Sequence, residues 1–439
     1  MNYFGTDGIR GIANTQLSPS IAFKLGQYLG YKYQGKKILI GSDTRLSKDM
    51  LEASLCAGLT SMGANAYLVH VISTPGVSFL VKNNDFEAGI MISASHNPFY
   101  DNGLKVFNAQ GEKISSELEK EIEDYLDDKI KLSLVDSSLL GQIFDYTSHI
   151  NSYLNYLKDS INHDLSSFNI IVDCANGSAS CLIGPLLDSL NITYKLINNE
   201  YDGKNINLNC GSTHLSMLQE AMVQDHYDLG IAFDGDADRM LALNSKGDIL
   251  DGDYIIYICA KYLALNNRLN NKTVVSTIMA NMGFFKALDK LGLNYVKTKV
   301  GDKYVYEEMA LHDYQLGGEQ SGHIIFKEFA STGDGMLSAL QLLNALKELD
   351  TTIDEVALEL IKYPQVLINV EVNDKDLVFN NTIVQAAIVE VEKALKDEGR
   401  VLLRASGTEP LIRVMVEANK LELAQQYGNY LVDIINQVK

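Results

Sequence analysis

Three aspartates at alternate positions, Asp234, Asp236 and Asp238, fall in one loop that ends in Arg239. They follow the apolar run Leu229-Gly230-Ile231-Ala232-Phe233, which places them at the C-terminal end of a buried strand. Hard cations take oxygen ligands, and alternating Asp residues on a tight loop converge on one ion. A calcium EF-hand is disfavoured, because a strand precedes the acids and no Glu stands at the twelfth position. Magnesium keeps few protein ligands and commonly binds a phosphate oxygen, so the loop predicts a phosphate nearby. The plain alternative is an acidic surface turn.

A second loop, Ser93-Ala94-Ser95-His96-Asn97-Pro98, follows the run Gly89-Ile90-Met91-Ile92 and leads to Asp101-Asn102-Gly103-Leu104-Lys105. Ligand crevices in open α/β sheets lie at such strand ends. A serine, a histidine and a lysine supply a nucleophile, a proton carrier and a cation, although an ordinary strand-to-loop turn has the same composition. A Ser–His–Asp hydrolase competes, but no Gly-x-Ser-x-Gly elbow surrounds either serine. A third stretch, Arg404-Ala405-Ser406-Gly407-Thr408-Glu409-Pro410 with Arg413 beyond it, suits a dianionic phosphate, or is a hairpin turn with surface arginines. Weaker signals are Gly5 to Gly11, which carries Arg10, and Gly317 to His323, which offers Glu319, Gln320, Ser321 and His323 for sugar hydroxyls.

The elements that must hold these loops recur along the chain. Ile38-Leu39-Ile40, Tyr67-Leu68-Val69 and Gly89 to Ile92 alternate with helical patterns, and the scheme restarts at Ile170-Ile171-Val172 and at Thr273 to Thr277. Continuous apolar strands separated by helices predict parallel sheets covered on both faces. The end of the chain differs. Val366 to Val372, Val401 to Leu403 and Ile412 to Val416 read as strands, and Asn381 to Leu395 and Leu421 to Val438 as helices, giving a small α+β layer. Boundaries are expected near 150, 248 and 364.

The chain of 439 residues is 46% hydrophobic, enough for several cores, and its formal net charge of −19 argues against nonspecific nucleic-acid or membrane-surface binding. Five scattered cysteines without a CxxC pair fit a reducing compartment. The most apolar segment, Tyr254 to Leu265, is interrupted by Lys261 and too short to span a bilayer. No signal peptide is evident at the first residues, so the cytoplasm is the expected location. A homodimer is compatible with such a chain but not indicated by it.

In order, Phe4 to Gly11, Ile92 to Phe107, Ala232 to Arg239, Gly317 to His323 and Ser406 to Glu417 resemble the motifs of the phosphohexomutase superfamily, along the whole chain. The resemblance implies an α/β protein of four domains around a central cleft, three related α/β/α domains plus a smaller C-terminal α+β domain. The domains would cover 1–150, 151–248, 249–364 and 365–439. It maps a phosphoserine onto Ser95 and Mg²⁺ ligands onto Ser95, Asp234, Asp236 and Asp238. It maps a sugar loop onto Glu319, Gln320 and Ser321, and a phosphate loop onto Arg404, Ser406, Gly407, Thr408 and Arg413. Lys105, His96 and His323 are the candidate proton carriers, unordered by sequence, and Arg10 and Arg239 add donors around the transferring phosphoryl. Gln320, where glucose and mannose relatives commonly have Met, points to the amino-sugar branch. The implied activity is interconversion of glucosamine 6-phosphate and glucosamine 1-phosphate, feeding UDP-N-acetylglucosamine and the cell wall. A phosphomannomutase or phosphoglucomutase is the runner-up. A noncatalytic sugar-phosphate sensor and a magnesium phosphatase stand further back. Ala405 and Ser216 depart from the common pattern without removing a charged group.

Overall fold

A computed structural model of the chain describes residues 3–5, 7–405 and 410–439. Its first three sheets share one strand order. In the first, Lys37–Ser42 lies between parallel neighbours Asn65–Val71 and Ala88–Ile92, and Asp101–Asn108 pairs antiparallel with the last of these. The same order is built by Asn169–Asp173, Thr193–Ile197, Leu229–Phe233 and antiparallel Met240–Leu243. It is built a third time by Thr273–Thr277, Asn294–Thr298, Leu316–Gly318 and antiparallel Ile324–Phe326. Phe4–Gly5, Gly8–Ile12 and Ile143–Asp145 extend the first sheet to seven strands, and Ile249–Leu250 extends the second to five.

Each of these sheets is parallel over the strands that the apolar runs predict and adds an antiparallel fourth strand. The reason lies in loop length. The connections into the fourth strands span residues 93–100, 234–239 and 319–323. A parallel crossover needs a dozen or more residues, so a short loop returns its strand antiparallel. These three connections are the serine loop, the acidic loop and the sugar loop, so the repeat brings all three to equivalent ends of their sheets. The strands feeding them are wholly buried: Ala88–Ile92, Leu229–Phe233 and Leu316–Gly318 have no exposed residue.

Sequence also sets the helix starts. Ser18 caps Pro19–Lys32, and Ser73 caps Thr74–Asn83 by accepting from Gly76 N at 3.1 Å, each with a proline in the first turn. The last sheet is antiparallel, in the order Gln365–Glu371, Leu411–Ala418, Gly399–Ala405. Thr382–Leu395 and Leu421–Val438 supply Val384, Val391, Leu431 and Ile435 to a core shared with Val370 and Val414. This is the smaller α+β domain that the alternation near the C-terminus predicts.

The chain forms two compact units. One holds the described residues up to Met279 together with Leu293–Ala357; the other holds Ala280–Gly292 and Leu358–Lys439. Within the second unit, Met282 N donates to Glu417 Oε2 at 3.0 Å and Arg400 Nη2 to Ala280 O at 2.6 Å, which ties the helix Met282–Lys290 to the C-terminal sheet. No helix among the described residues is long and apolar enough to cross a membrane.

Candidate active site

Ser95 sits just past the strand Ala88–Ile92 with a left-handed backbone, φ 52°, and is 1% exposed. Its Oγ donates to Asp234 Oδ2 at 2.6 Å and lies 3.2 Å from His96 Nδ1. The serine and acidic loops come this close because Gly235 has no side chain: a Cβ there would stand 2.6 Å from Ser95 O. Ala237, also left-handed at φ 54°, tightens the acidic turn.

Asp234, Asp236 and Asp238 are buried, and one carboxylate oxygen from each lies within 4.8 Å of the others. Asp236 Oδ1 and Asp238 Oδ1 are buried with no hydrogen-bond partner among the described residues. Buried oxygens of that kind are costly unless a cation meets them, so the donor set fits a hard divalent ion. Lys105 stands beside them, 2% exposed, with Nζ 2.8 Å from Asp236 Oδ2, 3.0 Å from Asp7 Oδ2 and 3.4 Å from Asp238 Oδ2. Thr74 Oγ1 also donates to Asp236 Oδ2.

Charges follow from these contacts. Burial pushes the Asp234 carboxyl well above the usual range, and the Asp238 and Asp236 charges add to it. For Asp238 burial works the same way, but Lys105 and His323 outweigh it and hold the carboxyl well below that range. Burial lowers the Lys105 ammonium, but Asp236, Asp7 and Asp238 outweigh it and keep it well above the usual lysine value. Burial, with Arg239 and Arg10 nearby, takes His96 down to about 4. The nucleophile thus has beside it an imidazole favoured neutral, and the neighbouring aspartates are met by a lysine that they favour charged. Arg10 pairs with Asp7, and Arg239 Nε lies 3.9 Å from Asp238 Oδ1. The Nε groups of both arginines are buried without a hydrogen-bond acceptor among the described residues, as donors waiting for an anion are.

His323 stands between two carboxylates, with Nδ1 3.8 Å from Asp238 Oδ2 and Nε2 3.7 Å from Asp302 Oδ2. Gly333 N donates to its Nε2 at 2.9 Å, so the proton sits on Nδ1, facing Asp238. In the sugar loop, Glu319 Oε1 accepts from Gly301 N at 3.0 Å, Ser321 is exposed, and Gln320 Nε2 donates to Asp251 Oδ2 at 3.1 Å. Asp251 is the N-cap of the helix Gly252–Leu265, so the Gln320 amide is anchored to a fixed helix end. In the other compact unit, Arg404 and Arg413 are direct cross-strand partners. Like charges in that register are unfavourable unless an anion lies between them. Ser406, Gly407 and Thr408 lie outside the described residues.

Comparison with known proteins agrees with this layout. The phosphoglucomutase/phosphomannomutase α/β/α domains I, II and III match residues 1–132, 145–247 and 251–363, and the C-terminal domain of the same family matches 367–434. A phosphoglucosamine mutase from Shouchella clausii is 49% identical over 99% of this chain and 98% of its own length. One from Bacillus subtilis is 48% identical, with the same coverage. The chain belongs to the phosphoglucosamine mutase family. The mutase fold is also that of a phosphoglucomutase/phosphomannomutase family protein from Burkholderia thailandensis, with a TM-score of 0.81 at 20% identity, covering 99% of this chain and 97% of that one. An Aspergillus fumigatus N-acetylphosphoglucosamine mutase, solved with GlcNAc-6P and magnesium, has a TM-score of 0.72 at 18% identity, covering 100% and 96%.

In this member of the mutase family, sequence reasoning passed over several residues that the fold brings in. Asp7 bridges Lys105 and Lys113, and Lys113 reaches Asp302 at 2.7 Å, linking the first and third sheets' domains. Thr74 reaches Asp236 from a helix N-terminus. Asp7 sat inside the Gly5–Gly11 stretch, where its charge was the available signal; Thr74 gave none.

Proposed function

We propose that this chain interconverts glucosamine 6-phosphate and glucosamine 1-phosphate through phospho-Ser95 and a sugar bisphosphate. The observation that carries the reading is the Ser95 hydroxyl, 2.6 Å from one of three buried carboxylates whose oxygens lie within 4.8 Å of one another. Full-length relatives at nearly half identity support the substrate class. The N-acetylphosphoglucosamine mutase solved with GlcNAc-6P and magnesium supports both a hexosamine phosphate and Mg²⁺. We assign the domains to 1–150, 151–248, 249–364 and 365–439. We place the enzyme in the cytoplasm, in keeping with its free cysteines.

Phosphoryl transfer is mainly positioning and charge stabilisation. In the outbound step the bond from phosphorus to Ser95 Oγ breaks and a bond to the sugar oxygen forms. Oγ then needs a proton, and the sugar hydroxyl gives one up. After the bisphosphate turns over, the other phosphoryl returns to Oγ, whose proton passes to a base. We assign that base to His96, which is neutral and 3.2 Å from Oγ; on the outbound step it takes up the proton that the sugar hydroxyl gives up and passes it to Oγ, and on the return step it carries the Oγ proton back to the sugar oxygen, so it ends the cycle neutral. Lys105, held protonated, together with Arg10 and Arg239, spreads positive charge over the transferring group. Asp234, Asp236 and Asp238 would hold Mg²⁺, which supplies further neutralisation of phosphoryl oxygens when bound. Glu319 and Ser321 bind sugar hydroxyls in this reading, and Arg404 and Arg413 with Ser406, Gly407 and Thr408 take the phosphate that is not reacting.

A coupled assay comparing glucosamine 6-phosphate with glucose and mannose phosphates tests the substrate, and peptide mapping tests the carrier. Phosphate is expected on Ser95, with Ser95→Ala inactive. Phosphate on Ser93 alone, or a fully active Ser95→Ala protein, would overturn the mechanism.

A further inference from the structure

Arg45 is completely buried, and all five of its N–H groups have acceptors. Nε donates to Asp43 Oδ2 at 2.9 Å. Nη1 donates to the carbonyl of Pro98 and, at 3.1 Å, to that of Asp101. Nη2 donates to the carbonyls of Ser95 and Asn97, each at 2.8 Å. One carboxylate therefore compensates the charge, and the other four acceptors are main-chain oxygens, three in the loop that carries Ser95 and one on Asp101, the first residue of the strand that this loop enters. Asp43 completes the hold: its Oδ2 accepts from Ser93 Oγ at 2.7 Å, and Ser93 Oγ accepts from Ser95 N at 2.9 Å. Both the N–H and the C=O of Ser95 are thus tied back to the Asp43–Arg45 pair. From the second domain, Asn207 Nδ2 reaches the same two carbonyls, Ser95 O at 2.9 Å and Asn97 O at 3.1 Å.

The topology explains why this arginine is in reach. Lys37–Ser42 and Ala88–Ile92 are adjacent parallel strands in register at Ser42 and Ile92, so the loops that leave them lie side by side. Asp43 N donates to Ile92 O at 3.0 Å. The chemistry explains why the residue is arginine. Only a guanidinium presents five donors in a planar fork; a lysine offers three from one point. The geometry it enforces is one that Ser95 does not adopt freely. A non-glycine residue stays at φ 52° only where its surroundings over-determine it.

We infer that Arg45, paired with Asp43, is the positioning residue of the nucleophile. It fixes the Ser95 main chain so that Oγ is the one polar group of that residue left to face the carboxylates, in both the free and the phosphorylated state. It touches neither substrate nor reacting atoms. The inference rests on the reading of Ser95 as phosphoryl carrier.

The test uses the full-length enzyme and the variants Arg45→Lys, Arg45→Met and Ser95→Ala, with kcat and KM on glucosamine 6-phosphate at saturating Mg²⁺ and a thermal melt for each. Misplacement of a reacting group by about an ångström costs up to about a hundredfold in rate. Arg45→Lys keeps the charge opposite Asp43 and is expected to fold, to hold KM within about twofold, and to lose about tenfold or more in kcat. Arg45→Met is expected to lose more. A purely architectural role would lower the melting temperature and spare kcat of the folded protein. A folded Arg45→Lys enzyme with less than about a tenfold loss in kcat overturns the inference, whether or not Arg45→Met folds. Activity surviving in Ser95→Ala would instead overturn the carrier assignment, whatever Arg45→Lys shows.

Discussion

Replacing Lys105 by Met removes the cation from a buried nest of carboxylates while keeping an unbranched side chain of similar length. Nζ lies 2.8, 3.0 and 3.4 Å from oxygens of Asp236, Asp7 and Asp238. At an effective dielectric constant of about 20, unit charges at such distances attract by ~5–6 kcal/mol per contact. Taking the ions out of water cancels most of that sum. The measurable quantity is the cost of stranding the partners, which is about 3–5 kcal/mol for a broken buried pair. Three carboxylates lose one cation here, so the loss should lie toward the upper end, about 5 kcal/mol. Asp7 keeps Lys113 and Arg10 as partners, which limits it. The assay is denaturant unfolding of wild type and Lys105→Met in excess chelator and again in Mg²⁺. A divalent ion bound only by the folded protein stabilises it by mass action. The variant should gain more from Mg²⁺ than the wild type does, because the ion supplies part of the missing charge. A loss below about 1 kcal/mol in chelator, the range of an exposed pair, would refute the reasoning. So would an equal Mg²⁺ gain in both proteins.

Asp236→Asn should sharply lower turnover and weaken Mg²⁺ binding in calorimetry, and thorough chelation should silence the wild type; activity persisting in chelator would remove the metal from the mechanism. Arg413→Ala leaves Arg404 alone opposite a neutral residue and should cost about 1.5–3 kcal/mol of substrate binding or transition-state stabilisation, read from kcat/KM. Gln320→Met deletes the donor to Asp251 and should raise the activity ratio of glucose or mannose phosphate to glucosamine phosphate; an unchanged ratio makes Gln320 a bystander. Burial raises the Asp334 carboxyl to about 6, although Leu337 N and Tyr153 donate to it. A carboxyl raised on folding favours the folded state fully below its unfolded pKa, and that contribution is lost as pH rises through the folded value. Asp334→Asn, which can keep both contacts, should therefore gain stability relative to wild type on going from pH 5 to pH 8, by about 1 kcal/mol. Denaturant titrations at the two pH values check the sign.

The local parts of this protein are legible in its consecutive residues. Apolar runs ending in Ser93 to Asn97 and Asp234 to Arg239 were enough to put those groups at strand ends, because strand burial and loop polarity are written in consecutive residues. The restart at Thr273 and the alternating C-terminal strands were legible for the same reason. Tertiary structure alone decided which charges share a site. Lys105 meets Asp236 across 131 residues of chain, and Ser95 meets Asp234 across 139. No residue's neighbours in sequence report such a pairing, since compensation of a buried charge is a property of the volume around it. Arg45 shows this best: in sequence it is one arginine after a strand, and only the adjacency of two sheet strands turns its five donors onto the serine loop. The register of Arg404 against Arg413 was likewise fixed by strand pairing, which sets whether two like charges face one anion or point apart.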